Sequence, residues 1–187
     1  MARIVDSDGT VLDAGEQVLA ARGVTLDRVS LPAWEQLRAA VVAAADGAAL
    51  PAGVDLPGEV VARLLPGPAD RQGLRGVLLA APVDPSSAQA REGFGVPHHN
   101  ASSECHLVLG GHGVFGYPGR APGQPEVFLG VEHGDVVAMR AGTVHRYLPL
   151  QEQAFLLRFD AVPGGGLEAT DLDLEVGPWV DPFSTGA

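Results

Sequence analysis

Between Phe94 and Asp160 the chain sets out seven short β-prone runs: Phe94 to His99, Glu104 to Leu109, Gly113 to Tyr117, Glu126 to Val131, Asp135 to Met139, Thr143 to Leu148 and Ala154 to Asp160. Glycine, proline or aspartate punctuates the gaps between them. Seven strands in so short a span predict an antiparallel sheet that closes, or nearly closes, into a barrel and so hides its edges. The whole chain carries 25 glycines and 15 prolines in 187 residues, which suits an all-β body with many turns.

The first 92 residues read as a mixed flank packed on that barrel. Asp8-Gly9 is a turn dipeptide between Arg3-Ile4-Val5 and Thr10-Val11-Leu12, which predicts a small hairpin. A short helix is expected from Ala14 to Arg22, with Asp13 as N-cap and Gly23 as its stop, followed by a strand over Val24 to Val29. Pro32 opens a second helix, Ala33 to Ala45, and a further one is possible over Glu59 to Leu65. Gly76 to Ala81 reads as an apolar strand and Ser86 to Glu92 as a short helix. The length predicts one domain over residues 1–187: flank 1–92, barrel core 93–162 and tail 163–187.

The formal net charge is −11, which excludes a basic patch able to release counterions from nucleic acid or to bind an anionic membrane. All twelve positive residues are arginine, so Schiff-base chemistry and a phosphate-loop lysine are also excluded. Cys105 is the sole cysteine, hence no intramolecular disulfide and no cysteine-based zinc site; burial as a small core residue is its expected role. No leader and no apolar run long enough to span a bilayer is legible, so the expected location is cytoplasmic.

Four of the six histidines fall in two stretches: His98, His99 and His106 within Val96 to His106, and His145 within Gly142-Thr143-Val144-His145. Strand alternation sends Glu104 and His106 to one face, His145 and Tyr147 to one face, and Arg158 to the face shared with Leu156 and Asp160. If those faces line the interior, one cavity collects two imidazoles, a carboxylate, a phenol and a guanidinium. Imidazole and carboxylate around a metal with open positions is the ligand set of non-haem iron oxygenases. His106 is the expected general acid or base, imidazole being the side chain that ordinarily titrates between about pH 5 and 8. Tyr147 is the expected hydrogen-bond donor to a bound oxygen. His112 and His133, both beside glycines, are expected in turns.

This part of the chain resembles a cupin, which implies a mainly β, antiparallel double-stranded β-helix barrel with short N-terminal helices. The first cupin motif is G-x5-H-x-H-x3-E-x6-G, or the same with x4; the second is G-x5-P-x-G-x2-H-x3-N. Glu104 precedes Gly111 at the first motif's spacing, and Gly134, Gly142 and His145 stand in register for the second. Within the cupins the order of segments resembles acireductone dioxygenases: Ala21-Arg22-Gly23-Val24, the histidine stretch, Glu126-Val127-Phe128, Gly134-Asp135, the His145 strand and Arg158-Phe159-Asp160. The likeness implies a metal held by His98, Glu104 and His145, with Asn100 where the motif has its second histidine. In the longer spacing His99 takes that second position and serves as the alternative to His98. It further implies Fe(II), with Ni(II) or Zn(II) as other candidates, and an enediol-like ketone cleaved with O2. Arg158 matches an arginine of that family and is expected to bind substrate together with Arg140, which replaces the motif's proline; His106 replaces a family arginine.

The function expected is thus a metal-dependent dioxygenase acting on an enolisable carbonyl or enediol with C–C cleavage. The alternatives are a cupin isomerase, cyclase or lyase that uses the metal as a Lewis acid without O2, and a non-catalytic binder. The expected partners are a small-molecule substrate and O2, with no nucleic acid and no membrane, in a monomer or homodimer.

Overall fold

The computed structural model describes residues 3–30, 74–80, 83–92, 95–119, 121, 123–160 and 169–184, by backbone alone at 74–80, 92, 151–160 and 169. The helices expected at 33–45 and 59–65 lie outside the described residues. The elements in chain order are β1 (Arg3–Asp6), α1 (Gly15–Ala21), β2 (Val24–Arg28), β3 (Leu74–Ala80), α2 (Ala88–Glu92), β4 (His98–Asn100), β5 (Glu104–Tyr117), β6 (Val127–Glu132), β7 (Asp135–Met139), β8 (Arg146–Asp160) and β9 (Ala169–Asp171). The fold is mainly β, antiparallel and of cupin type, with short helices.

The frame is a seven-stranded sheet in which β1-β6-β5-β7-β2 follow one another and β8 joins β5 to β3; β4 and β9 form a separate pair. Every pairing is antiparallel. β5 is the hub. One edge pairs with β8 along its length, while the other pairs with β7 over residues 104–107 and with β6 over residues 112–117.

The hairpin at the N-terminus forms around Asp6, whose Oδ1 accepts the N–H groups of Asp8 and Thr10, each at 2.9 Å. Helix α1 starts at Gly15 with Ala14 in the N-cap position and no side-chain cap, so Asp13 does not play that part. Instead the Gly15 N–H is met by the Leu12 carbonyl at 3.1 Å.

Two pairs of expected strands are fused. Glu104 to Leu109 and Gly113 to Tyr117 form one strand, and so do the last two expected runs, from Arg146 onwards. Gly110-Gly111 is the cause in β5. A turn is the expected use of two glycines, but Gly111 takes φ +73° within a strand whose register against β8 slips three times between Val108 and Gly113. These irregularities flip the side-chain parity. Before them Glu104, His106 and Val108 face the interior; after them Phe115 and Tyr117 do. His112 therefore lies in the strand rather than a turn, stacked on Phe183 with ring centroids 4.8 Å apart. His133 is in the β6–β7 turn, its Nδ1 against the Leu109 carbonyl at 2.8 Å.

Both faces of the central strands are covered. The inner face packs Val108, Phe115, Tyr117, Leu129, Val137 and Met139 with Leu19 of α1. The outer face packs Val114, Phe128 and Leu148 with Ala90 of α2 and Trp179 of the C-terminal segment. Each such side chain, fully buried, contributes about 1.5–3 kcal/mol. That is why β5 and β6 are apolar on both sides rather than alternating. Among the described residues no helix is long and apolar enough to cross a membrane.

Candidate metal centre

At one end of the interior, β4, β5 and the start of β8 bring together His98, Asn100, Glu104, His106 and His145. Alternation along β5 turns Glu104 and His106 the same way, and both are buried. His145 is held just before β8 by a two-way backbone bridge to His98, with N···O distances of 2.9 Å each way. The ring of His98 packs on that of His145 with centroids 4.4 Å apart. His99 alternates to the other face of β4 from His98 and Asn100.

The carboxylate of Glu104 is the centre. Its Oε1 lies 3.3 Å from His145 Nε2 and its Oε2 lies 3.1 Å from His106 Nε2. Asn100 Nδ2 donates to Oε1 at 2.6 Å. One ligating atom from each of Glu104, His106 and His145 falls within 4.8 Å of the others, the spread a single ion can span. The spacing that includes Asn100 places its amide against the carboxylate as a donor, and the set that converges is Glu104, His106 and His145.

The chemistry of His145 decides what the cluster fits. Its Nδ1 faces the Thr143 carbonyl at 3.0 Å and so carries the proton that carbonyl accepts. Burial pushes its pKa down to about 4, outweighing the upward pull of Glu104, so at neutral pH the ring is uncharged. The 3.3 Å contact is then no ion pair. An Nε2 lone pair faces a carboxylate oxygen, two acceptors in a dry site, and only a shared cation or proton makes that favourable. Neutral imidazole with its second nitrogen on a backbone carbonyl is also the form in which histidine binds metals. The donor set fits a divalent cation.

Several buried atoms around the cluster have no hydrogen-bond partner among the described residues: Asn100 Oδ1, His106 Nδ1 and the hydroxyls of Tyr117 and Tyr147. The Tyr147 ring lies 4.7 Å from Phe115, and its hydroxyl abuts Gly113 so closely that a side-chain methyl there would collide with it. Tyr117 is fully buried, and burial first, then the charge of Glu104, raises its pKa well above the ordinary phenol value. Spacing does not reveal Tyr117 because the glycine bulges in β5 change its parity. The double glycine was the available signal.

Arg140 is exposed beyond β7, its N–H on the Gly23 carbonyl and its side chain beside Gly23, outside the cluster. The alternation that turns Met139 inward sends Arg140 away. The backbone of Arg158 pairs with His106, while its side chain lies outside the described ones. Cys105 faces away from Glu104, and burial pushes its thiol up to about 11, which leaves it protonated.

Comparison with solved structures finds an acireductone dioxygenase from Bacillus anthracis, solved with a cadmium ion in its active centre. The superposition has a TM-score of 0.58 and 17% identity, covering 91% of this chain and 98% of that one. The two share a fold. At that identity the likeness speaks for architecture, and the cupin-type barrel is the part of it established here. No protein-family model and no curated protein sequence matches the chain.

Proposed function

We propose that this protein is a metal-dependent dioxygenase of the acireductone-dioxygenase type, which cleaves a C–C bond in a small enolisable carbonyl or enediol with O2. Fe(II) is the proposed metal, with Ni(II) or Zn(II) as other candidates. The observation that carries the reading is the uncharged His145 imidazole facing the Glu104 carboxylate, acceptor to acceptor, 3.3 Å apart in a buried site.

Glu104, His106 and His145 would hold the ion, and Asn100 would fix the carboxylate through its 2.6 Å hydrogen bond. When bound, such a metal supplies Lewis acidity toward adjacent substrate oxygens and electrons toward O2. With His106 among the holding residues, proton transfer passes to His98. Its Nδ1 is turned to the Val96 carbonyl at 3.3 Å, which leaves Nε2 to take the proton an enolisable substrate gives up. The apolar side chains of Phe115, Val137 and Met139, packed in the adjoining core, would keep water from the reacting carbon.

Oxygen uptake tests the proposal. Iron-loaded protein should consume O2 when given a panel of enediols and β-diketones, and no uptake across the panel counts against it. A second reading has its own support: Asn100 replaces an imidazole with an amide that serves the carboxylate rather than an ion. An isomerase, cyclase or lyase would need Lewis acidity alone, and turnover without O2, or with zinc, favours it. Undiminished substrate affinity with no chemistry in Glu104→Ala would instead favour a binding protein.

A further inference from the structure

The interior holds two tyrosines and both hydroxyls are buried without a partner among the described residues, yet their surroundings differ. β5 and β8 pair Phe115 with Tyr147 and Gly116 with Arg146. Continued by one residue, that register sets Tyr117 beside His145, on the inner face that both share. Glu104 acts electrostatically on Tyr117, whereas Tyr147 feels burial alone and has its hydroxyl against the Gly113 backbone. Of the two phenols, Tyr117 is the one that the extended register sets next to His145 and that the Glu104 charge reaches.

We infer that Tyr117 supplies the hydroxyl that hydrogen-bonds the ligand taken up beside Glu104, His106 and His145, and that this ligand is a small molecule with two neighbouring oxygens, one for the cation and one for the phenol. This rests on the metal reading proposed above. A buried hydroxyl left unpaired is costly, and folded proteins keep few of them. The described core around Tyr117 includes Phe115, at 6.2 Å between ring centroids, with Val127, Leu129 and Met139. Protein groups among the described residues therefore do not supply its partner. The nearby carboxylate and the apolar wall keep the phenol protonated, so it offers an O–H. Among the described residues no acceptor meets it, and an oxygen-bearing ligand would bring one.

The test uses Co(II)-loaded protein and acetohydroxamate, a probe with two adjacent oxygens, followed through the cobalt absorption spectrum. The parent, Tyr117→Phe and Tyr147→Phe are compared, with thermal melting run in parallel. All three should bind cobalt equally. Tyr117→Phe should bind acetohydroxamate about ten- to a hundredfold more weakly, Tyr147→Phe within about twofold of the parent. Tyr117→Phe should also melt at the parent's temperature or above, since its hydroxyl has no hydrogen bond to lose among the described residues. Equal probe affinity in parent and Tyr117→Phe overturns the inference alone, as does a Tyr117→Phe protein that melts lower or fails to fold. Refusal of acetohydroxamate by a cobalt-loaded parent overturns the ligand class. Absence of a cobalt signal in the parent overturns the metal reading, and this inference falls with it.

Discussion

His145 and Arg146 are neighbours in the chain and belong to opposite worlds. Arg146 points to the outer face of β8, where Glu126 receives its Nε and its terminal nitrogen at 2.7 and 2.8 Å, Gly177 offers a carbonyl at 3.0 Å, and the Trp179 ring lies 4.0 Å from the guanidinium. His145 points inward, to a carboxylate, imidazoles and an amide, where Asn100 Oδ1 and His106 Nδ1 have no hydrogen-bond partner among the described residues. Both constellations are buried and both are built on an acid, but only Arg146 and Glu126 form a charged pair, since the His145 ring is neutral. A complete buried ion pair is part of the architecture and ties the C-terminal segment to the barrel. A buried carboxylate that meets a neutral imidazole acceptor to acceptor favours a shared cation.

The largest test of that contrast is Arg146→Met, which strands Glu126 in a site where burial already raises its pKa. Unfolding in urea should show a loss of about 3–5 kcal/mol. Glu104→Gln, on the other face, should leave the metal-free protein as stable as the parent or more so. Comparable losses in both would erase the distinction.

Acid should separate the faces next. The folded pKa of His145 lies at about 4, below the ordinary 6.5, so between those values the unfolded chain binds a proton that the folded one does not. Metal-free protein therefore has this contribution in full above about pH 6.5 and loses it as pH falls toward 4. The loss is on the order of 3 kcal/mol. His145→Gln should flatten that stretch of the stability profile, and an unchanged slope would contradict the assignment.

Much of the inner site is legible in the chain because it rests on short-range spacing. Glu104 and His106 are two residues apart on one strand, and His145 follows a glycine turn, so alternation alone brings them to one cluster. The fold is legible for the same reason, through the rhythm of turns. Elsewhere the chain is less readable. Gly110-Gly111 can end a strand or bulge it, and only the register against β8 decides; that choice hid Tyr117. The pair Glu126–Arg146 depends on β6 and β8 meeting across β5, with Gly116 leaving room for them, since a methyl there would lie 2.6 Å from Glu126 Oε1. No local pattern encodes such a meeting. Asn100 reads as a weak ligand by type, but its partner, the Glu104 carboxylate, is visible only once both strands are in place.

Two smaller effects sharpen the comparison. Asn100→Ala removes the donor that orients Glu104, and calorimetric titration should find metal affinity about 10- to 100-fold weaker with the fold intact. Tyr147→Phe removes a hydroxyl that has no hydrogen-bond partner among the described residues. Its melting temperature and metal affinity should stay those of the parent, within about 1 kcal/mol in stability.

Metal content is the most direct measurement. Elemental analysis of the purified parent should return close to one transition-metal ion per chain, and His145→Ala, purified in parallel and still folded, should return a trace. A trace in both proteins, or equal content in both, would contradict the claim that Glu104 and His145 grip an ion between them.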